Sequence, residues 1–398
     1  LKLELLFVML KQMTSWFSLQ LLRERFTKLF VDPKEFCYLS SSKLTTLPTK
    51  LLTTWDTNKV SAASSQEIAS GLKKGGVWPL LRQRPFASIA DASVKPKAIF
   101  INTMATAPLA PCQAFLTTDR EDDFALGLLA VSKFSDQVHL CVGTGHQPKH
   151  FINAEGVTIE KFNGVHPAGL TGTHINEISP INKGETVWFI SASQIALIGE
   201  YLKTGSTPTE DIIALTGANS PKQFYAKVNR GAKLSDLLGE VQEKSRIILG
   251  DVLNGKKVES DDFISFYKQQ ITIIPEGGTR YYPGEDKYWF GPGKESYSVW
   301  PSFLSKLFPK DKWNLDANQN GGDRTIVIPD IYEKYTPIDI HYAYLLKAIM
   351  AEDIDAMEKL GLYELEPEDV ALPTFICPFK VNLAEVVDQG LTLLEKEA

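Results

Sequence analysis

Residues 166–174 bring together the groups best suited to polar contact with a ligand. Gly169 and Gly172 allow backbone N–H groups to approach an anion or a carbonyl, while His166, Thr173 and His174 add side-chain donors. A rigid loop between elements or a surface docking strip explains the same residues, because Gly and Pro are common in both. A second segment, Arg82-Gln83-Arg84-Pro85-Phe86, pairs two guanidinium forks with an aromatic ring. Arg82 and Arg84 suit a carboxylate or phosphate, and Phe86 suits stacking on a flat ring. Its plainer reading is an interface or an internal salt-bridge strip. His166 and His174, with no third ligand near them in sequence, do not form a closed zinc site.

Several other chemistries are argued against. The 4 cysteines, Cys37, Cys112, Cys141 and Cys377, stand far apart and suit neither a disulfide framework nor a metal site. A four-iron cluster needs about four thiolates brought close together, so Cys377 is expected to be a buried structural residue. A dinucleotide-gripping turn should follow the first strand of an α/β unit, yet Thr103-Met104-Ala105-Thr106-Ala107-Pro108 holds no glycine. Gly143-Thr144-Gly145, after the next strand, lacks the third glycine. No Ser or Cys sits in an elbow motif with His and Asp partners. Glu121, Asp122 and Asp123 read as acids favoured at a helix start by its dipole. The expectation is therefore no catalytic residue, no bound metal and no cofactor held by this chain.

At 398 residues the chain exceeds what one core usually supports, and about two to four domains are expected. Hydrophobic residues at 43% and charged residues at 23% are ordinary for a globular protein. A net charge of -6 and a pI near 5.7 argue against nucleic acid, whose phosphates call for surplus cations. No apolar run approaches the roughly 18 residues of a membrane span. Residues 1–10 are apolar but carry Lys2 and Glu4 and lack a cleavage site, against a signal peptide.

The elements that must position these groups follow from periodicity. Short β-branched runs at residues 98–102, 138–142, 157–162 and 186–190 alternate with helical patterns at 122–134 and 193–203, predicting an α/β domain over 97–210 with a mainly parallel sheet. Residues 211–276 read as a smaller α+β unit, with strands near 212–215, 224–228, 247–249 and 271–274 and a short helix holding Leu234, Leu237 and Leu238. Residues 59–96 are expected to be a linker carrying the two arginines, and 277–335 a connecting segment rich in turn residues. Residues 336–398 should be a helical bundle. Its first helix is expected to start at Thr336 with Pro337 in the first turn, and its last at Asn382 with Glu385.

Residues 1–58 have a different character, without a sustained period of two or 3.6. Codons permitted for residues 24–46, read in the neighbouring frame, spell two strand-like runs around a Gly turn, so a shifted frame is the expectation; a genuine irregular segment is the alternative.

Five segments, in this order, carry a family resemblance: Gly76-Val77-Trp78-Pro79-Leu80-Leu81-Arg82-Gln83-Arg84-Pro85-Phe86, Arg120-Glu121-Asp122-Asp123-Phe124, His166-Pro167-Ala168-Gly169-Leu170-Thr171-Gly172-Thr173-His174-Ile175, Gly231-Ala232-Lys233-Leu234-Ser235-Asp236-Leu237-Leu238 and Pro373-Thr374-Phe375-Ile376-Cys377-Pro378. Over residues 73–398 the chain resembles the A subunits of sodium-translocating NADH:quinone reductases. The resemblance implies a Rossmann-like domain, a β-grasp domain of the soluble-ligand-binding type and a C-terminal helical bundle, after a biotinyl- or lipoyl-like barrel-sandwich hybrid domain that the shifted frame would have cost this chain. That family is similar in turn to the flavin-binding subunit of respiratory complex I and to an electron-transport subunit of the Rnf complex, whose bundles hold an iron-sulfur cluster. Residues 166–174 stand where those relatives carry a Tyr-Pro-x-Gly-x-Glu loop.

By the same resemblance the chain is a peripheral subunit on the cytoplasmic side of the bacterial inner membrane. It docks on the membrane-embedded B subunit among the B to F subunits, which carry the FAD, FMN, riboflavin and two-iron cluster. Arg82, Arg84, Phe86, His166, Gly169, Gly172, Thr173 and His174 are then expected to contact quinone or a partner subunit. Two other readings stay open: a non-enzymatic ligand-binding or scaffold module, and a stand-alone flavin-dependent NADH oxidoreductase.

Overall fold

The computed structural model describes residues 53–277, 316–319, 324–326 and 330–397, together with the backbone of β1 (Phe36–Cys37). The expectations for the other residues among 1–52, including the shifted frame, and for most of the 277–335 connection lie outside the described residues.

The chain is folded well before residue 97. Asp56 caps α1 (Thr57–Ala62) by accepting from the Lys59 N–H at 2.8 Å, and Ser64 with Glu67 forms a capping box on α2 (Ser65–Lys74). Val60, Ile68, Leu72 and Trp78 from this stretch are buried in the first core, so the expected linker is instead an integral part of it. The Ser64-x-x-Glu67 spacing, followed by apolar Ile68 and Leu72, was a readable helix signal.

The first sheet has six strands in the order β3-β2-β7-β4-β5-β6. They are β2 (Arg82–Arg84), β3 (Ser88–Ile89), β4 (Ile99–Asn102), β5 (Val138–Gly143), β6 (Thr158–Phe162) and β7 (Val187–Ser191). Strands β4 to β7 are parallel, and the β2–β3 hairpin joins antiparallel at the edge of β7. The chain steps outward from β4 through β5 to β6, then returns to the other side of β4 as β7, which places the topological switch between β4 and β7.

Alternation along β4 assigns its two faces. Ile99 and Ile101 join the core beneath α4 (Glu121–Val131) and α7 (Ala192–Thr204), while Ala98 and Phe100 join the opposite core. Helices α4 and α7 touch through backbone: a Cβ on Gly199 would fall 1.7 Å from the Asp123 carbonyl oxygen, so only glycine fits. The short α3 (Gln113–Leu116) and α5 (Lys149–Ile152), and α6 (Thr171–Ile178), complete this unit.

The second sheet, in the order β1-β9-β8-β12-β10-β11, contains β8 (Glu210–Thr216), β9 (Phe224–Asn229), β10 (Ser245–Leu249), β11 (Lys256–Val258) and β12 (Gln270–Pro275). Leu234, Leu237 and Leu238 of α8 (Leu234–Leu238) cover Ile213, Ile271 and Ile273 on one face of it.

The C-terminal helices are α9 (Tyr342–Met350), α10 (Ile354–Lys359), α11 (Ala371–Ile376) and α12 (Leu383–Glu397). They do not close on themselves alone: Leu345, Leu346, Val387 and Leu391 share one core with Ala98, Phe100, Cys141 and Val187 of the first sheet. That sheet is therefore covered by helices on both faces. The helix expected from Thr336 begins at Tyr342 instead, because Ile338, Ile340 and Tyr342 are buried while Asp339 and His341 are exposed, an extended period of two. Asn382 does cap α12, accepting from the Glu385 N–H at 3.4 Å. Among the described residues no helix is long and apolar enough to cross a membrane.

Candidate functional site

Arg84 is the centre of a buried junction. The β2–β3 hairpin turns through Phe86 (φ 74°) and Ala87 (φ 51°), a left-handed conformation that costs about 1 kcal/mol or more per residue without glycine. What holds it is packing: the Phe86 ring meets Tyr363 edge-on at 6.2 Å and lies against the C-terminal core. This presents Arg84, 1% exposed, to the segment after α10. Its Nη1 donates to Asp369 Oδ2 at 2.8 Å and to the Glu364 carbonyl at 2.9 Å, and its Nε stands 3.0 Å from Glu366 Oε1.

Burial disfavours the guanidinium's charge, but Asp369 and Glu366 outweigh it and hold its pKa above the ordinary value. On Asp369 the balance goes the other way: burial raises its pKa despite Arg84. Arg84 stays charged, since a guanidinium does not deprotonate in proteins, and the uncompensated part falls on the carboxylates.

The second candidate segment reaches the same place. Gly172, in the first turn of α6, faces Asp369: a Cβ there would lie 2.1 Å from Oδ1. A carboxylate at a helix start is favoured by the helix dipole. His174 is fully buried; its Nε2 donates to the Ala168 carbonyl at 3.0 Å and its ring packs on Phe162 at 4.2 Å. Burial first, and Arg84 as a nearby cation, push its pKa down to about 4. Thr173 donates to the Pro167 carbonyl at 3.0 Å, and Asn176 donates to Glu364 at 2.7 Å.

His166 and Gly169 lie elsewhere, over the carboxyl end of β4, a strand that borders the topological switch. Ligands of open α/β sheets bind in this crevice at the switch point. Here the chain itself enters it. Asn102 donates to the Gly169 carbonyl at 2.9 Å and to Thr171 at 3.2 Å, and the Gly169 N–H donates to Thr106 Oγ1 at 3.0 Å. Farther along, Gln113 accepts from the Ser193 N–H, Ser193 donates to Gln269, and Gln270 donates to the Pro108 carbonyl, tying in the second sheet.

His166 Nδ1 is 3.3 Å from Thr106 Oγ1, while its Nε2 is buried without a partner. Burial pushes its pKa down to about 4 against the pull of Asp251, so the ring is neutral near pH 7. Because Thr106 Oγ1 already accepts from Gly169, its own hydrogen is free for Nδ1. That assignment leaves the ring proton on Nε2 as an open donor.

Of the eight candidate residues, six gather at the junction: Arg82, Arg84, Phe86, Gly172, Thr173 and His174. The sequence reading missed their acidic partners, although Glu364-Leu365-Glu366-Pro367-Glu368-Asp369 is a conspicuous run. Glu368 is half-buried, and burial raises its carboxyl to about 7 despite the cation Lys268. Cys377 is fully buried and lies 3.2 Å from the Tyr332 hydroxyl. Among the described residues no group of His, Cys, Asp or Glu could hold a metal ion. The junction can fasten two layers together, and the crevice can offer one neutral donor.

Known proteins give the arrangement its context. Residues 63–207 match the family model described as the NqrA second alpha/beta domain, and residues 212–260 match the NQRA C-terminal domain. The A subunit of the Na(+)-translocating NADH-quinone reductase of Rhodopirellula baltica is 35% identical over 340 residues, covering 83% of this chain and 73% of that protein. The proteins of the same name from Neisseria meningitidis serogroup B and Haemophilus influenzae are 35% and 34% identical, covering 84% and 86% of this chain and 74% and 76% of theirs. A chain of an NAD+-reducing [NiFe]-hydrogenase superposes with a TM-score of 0.41 at 11% identity, covering 54% of this chain and 48% of that one, too loosely to carry an argument.

Proposed function

The chain belongs to the family of the A subunit of the Na(+)-translocating NADH-quinone reductase, and on that premise we propose that it is a peripheral supporting subunit with no redox centre of its own. As such it works with the other subunits of that enzyme complex. In this reading the first unit is a Rossmann-like domain, the second a β-grasp domain of the soluble-ligand-binding type, and the C-terminal helices a helical bundle. The flavins and iron-sulfur cluster belong to partner subunits, and the chain sits on the cytoplasmic face against the membrane-embedded B subunit.

One observation carries this reading: the switch-point crevice is occupied by the chain's own Gly169, Thr106 and Asn102, joined by hydrogen bonds of 2.9 and 3.0 Å. A dinucleotide or flavin phosphate needs that space and a glycine turn, and the turn after β4 contains no glycine. The fold thus keeps its rigidity while its usual ligand space serves as internal packing. The purified chain is expected to be colourless, with no flavin or iron-sulfur absorption. A stoichiometric chromophore on the isolated chain would overturn the proposal.

A quinone contact is a second part of the proposal, favoured by His166 Nε2. A quinone is neutral and carries carbonyl acceptors, so a neutral buried N–H suits it better than a cation does.

A further inference from the structure

An asparagine followed by glycine can react with its own backbone, because a residue without Cβ leaves its amide nitrogen open to the preceding side chain. Asn163-Gly164 and Asn254-Gly255 both have this sequence, and the fold treats them in opposite ways.

Asn254-Gly255 closes the turn between β10 and β11. Asp251 Oδ1 accepts from the Leu253 N–H at 2.7 Å and from the Asn254 N–H at 3.0 Å, and the Gly255 N–H donates to the Asp251 carbonyl at 2.9 Å. A Cβ on Gly255 would fall 2.3 Å from Ile248 Cγ2 and 2.4 Å from the Asp251 carbonyl oxygen, so this backbone is also packed tightly against β10. The nitrogen that would attack is committed to a hydrogen bond, and the chain around it has no room to turn.

Asn163-Gly164 follows β6 and leads into the loop that holds His166. Both residues are exposed. The carbonyls on either side are fixed: that of Phe162 accepts from the Thr144 N–H at 3.0 Å, and that of Val165 accepts from the Ala168 N–H at 2.9 Å. Between them, neither the Asn163 side-chain amide nor the Gly164 N–H has a hydrogen-bond partner among the described residues. Gly164 has φ 149°, which favours glycine, and a Cβ on it would lie 2.9 Å from that of Ala168. The fold thus requires, after Asn163, the one residue type that leaves the nitrogen open.

We infer that Asn163 is a site of spontaneous deamidation, which converts the stem of the His166 loop to aspartyl and iso-aspartyl forms. The Gly164 nitrogen gives its proton to solvent and bonds to the carbonyl carbon of the Asn163 side chain. The bond from that carbon to the side-chain nitrogen breaks, and ammonia leaves. Water then opens the succinimide. Cleavage at the side-chain carbon restores the ordinary backbone with an aspartate. Cleavage at the main-chain carbonyl leaves Gly164 joined through the side chain, an iso-aspartyl link that lengthens the backbone by one carbon. No group is oxidised or reduced. Either product adds a carboxylate that is ionised at neutral pH. The longer link must be absorbed where Gly164 packs against Ala168, whose carbonyl accepts from His174.

The test incubates the intact chain in mildly alkaline buffer, folded and in parallel unfolded in urea, then cleaves it after Lys and Arg. Asn163 lies in the peptide 162–183 and Asn254 in the peptide 247–256. Deamidation adds about 1 Da, which fragment ions assign to one residue. In the folded chain Asn163 should convert about tenfold or more faster than Asn254, because reaction at Asn254 first requires a local opening that breaks its hydrogen bond. In urea the two rates should converge. Equal rates in the folded chain, faster conversion at Asn254, or conversion of Asn163 only in urea would each overturn the proposal. So would a mass gain in the first peptide that falls on Asn176 or Asn182 instead.

Discussion

The junction at Arg84 and the crevice at His166 draw on the same stretch of chain, residues 166–174, yet they satisfy buried polar groups differently. At the junction a permanent cation is buried with carboxylates supplied by the chain itself, Asp369 at 2.8 Å and Glu366 at 3.0 Å. At the crevice a neutral imidazole is buried with one nitrogen near Thr106 and the other open. A buried charge requires its partners in the folded chain, so the junction acts as a fastener. A neutral polar group tolerates an open position at modest cost, so His166 Nε2 can stay without a partner inside the folded chain.

Removing the cation gives the largest effect expected. Arg84→Met leaves Glu366 and Asp369 buried without their counter-charge, and should lower unfolding stability by about 3 to 5 kcal/mol. Denaturant titration measures this. A loss under about 1 kcal/mol would mean that the carboxylates are simply protonated and the junction does not depend on charge.

Acid separates the two regions next. Both His166 and His174 have folded-state pKa values of about 4 against an ordinary 6.5, chiefly through burial. The unfolded chain therefore binds more protons between about pH 4 and 6.5. Stability is full above 6.5 and falls as the pH drops through that window, by up to about 3 kcal/mol for each histidine. Glu368 acts in opposition: its raised carboxyl, near 7, costs stability as pH rises from about 4.5 to 7. Asp369 and Glu364, whose carboxyls burial also raises, act with Glu368, so the histidine contribution is read as the difference in slope between the chain and a histidine variant. His174→Gln should remove about half of the histidine contribution in urea titrations across pH. An unchanged slope would place the titrating group elsewhere.

Gly172→Ala probes the fit rather than the charge. Its Cβ would meet Asp369 Oδ1 at 2.1 Å, so either the helix start or the carboxylate must move away from Arg84. A loss of about 1 to 3 kcal/mol is expected, measured by thermal melting. When Arg84→Met is already present the loss should shrink, because Asp369 is then no longer held in place.

How far these regions were legible follows from the range of each signal. Periodicity located β4, β5, β7 and α7, because those are local patterns. The two arginines and the glycine-rich segment stood out by type. What remained hidden was that Arg84 and Asp369, 285 residues apart, would meet, since long-range pairing leaves no local trace. The residues 59–96 misled because short elements joined by Gly and Pro read as a linker, although Ser64 and Glu67 marked a helix start. The alternation of Ile338, Ile340 and Tyr342 was equally visible, but Pro337 beside Thr336 suggested a helix more strongly.

The smallest effect, on the crevice itself, sharpens the comparison most. If His166 Nε2 offers a donor to a quinone carbonyl, His166→Leu in the assembled enzyme loses one neutral hydrogen bond, about 0.5 to 1.5 kcal/mol, or roughly two- to tenfold. The change should appear in the KM for quinone with kcat nearly constant, because the contact exists before any electron moves. His166→Gln, whose amide keeps an N–H donor, should recover part of the loss, which a purely structural role would not predict. An equal fall of kcat and kcat/KM in both variants would instead assign His166 to packing, and the crevice would join the junction as part of the fastening.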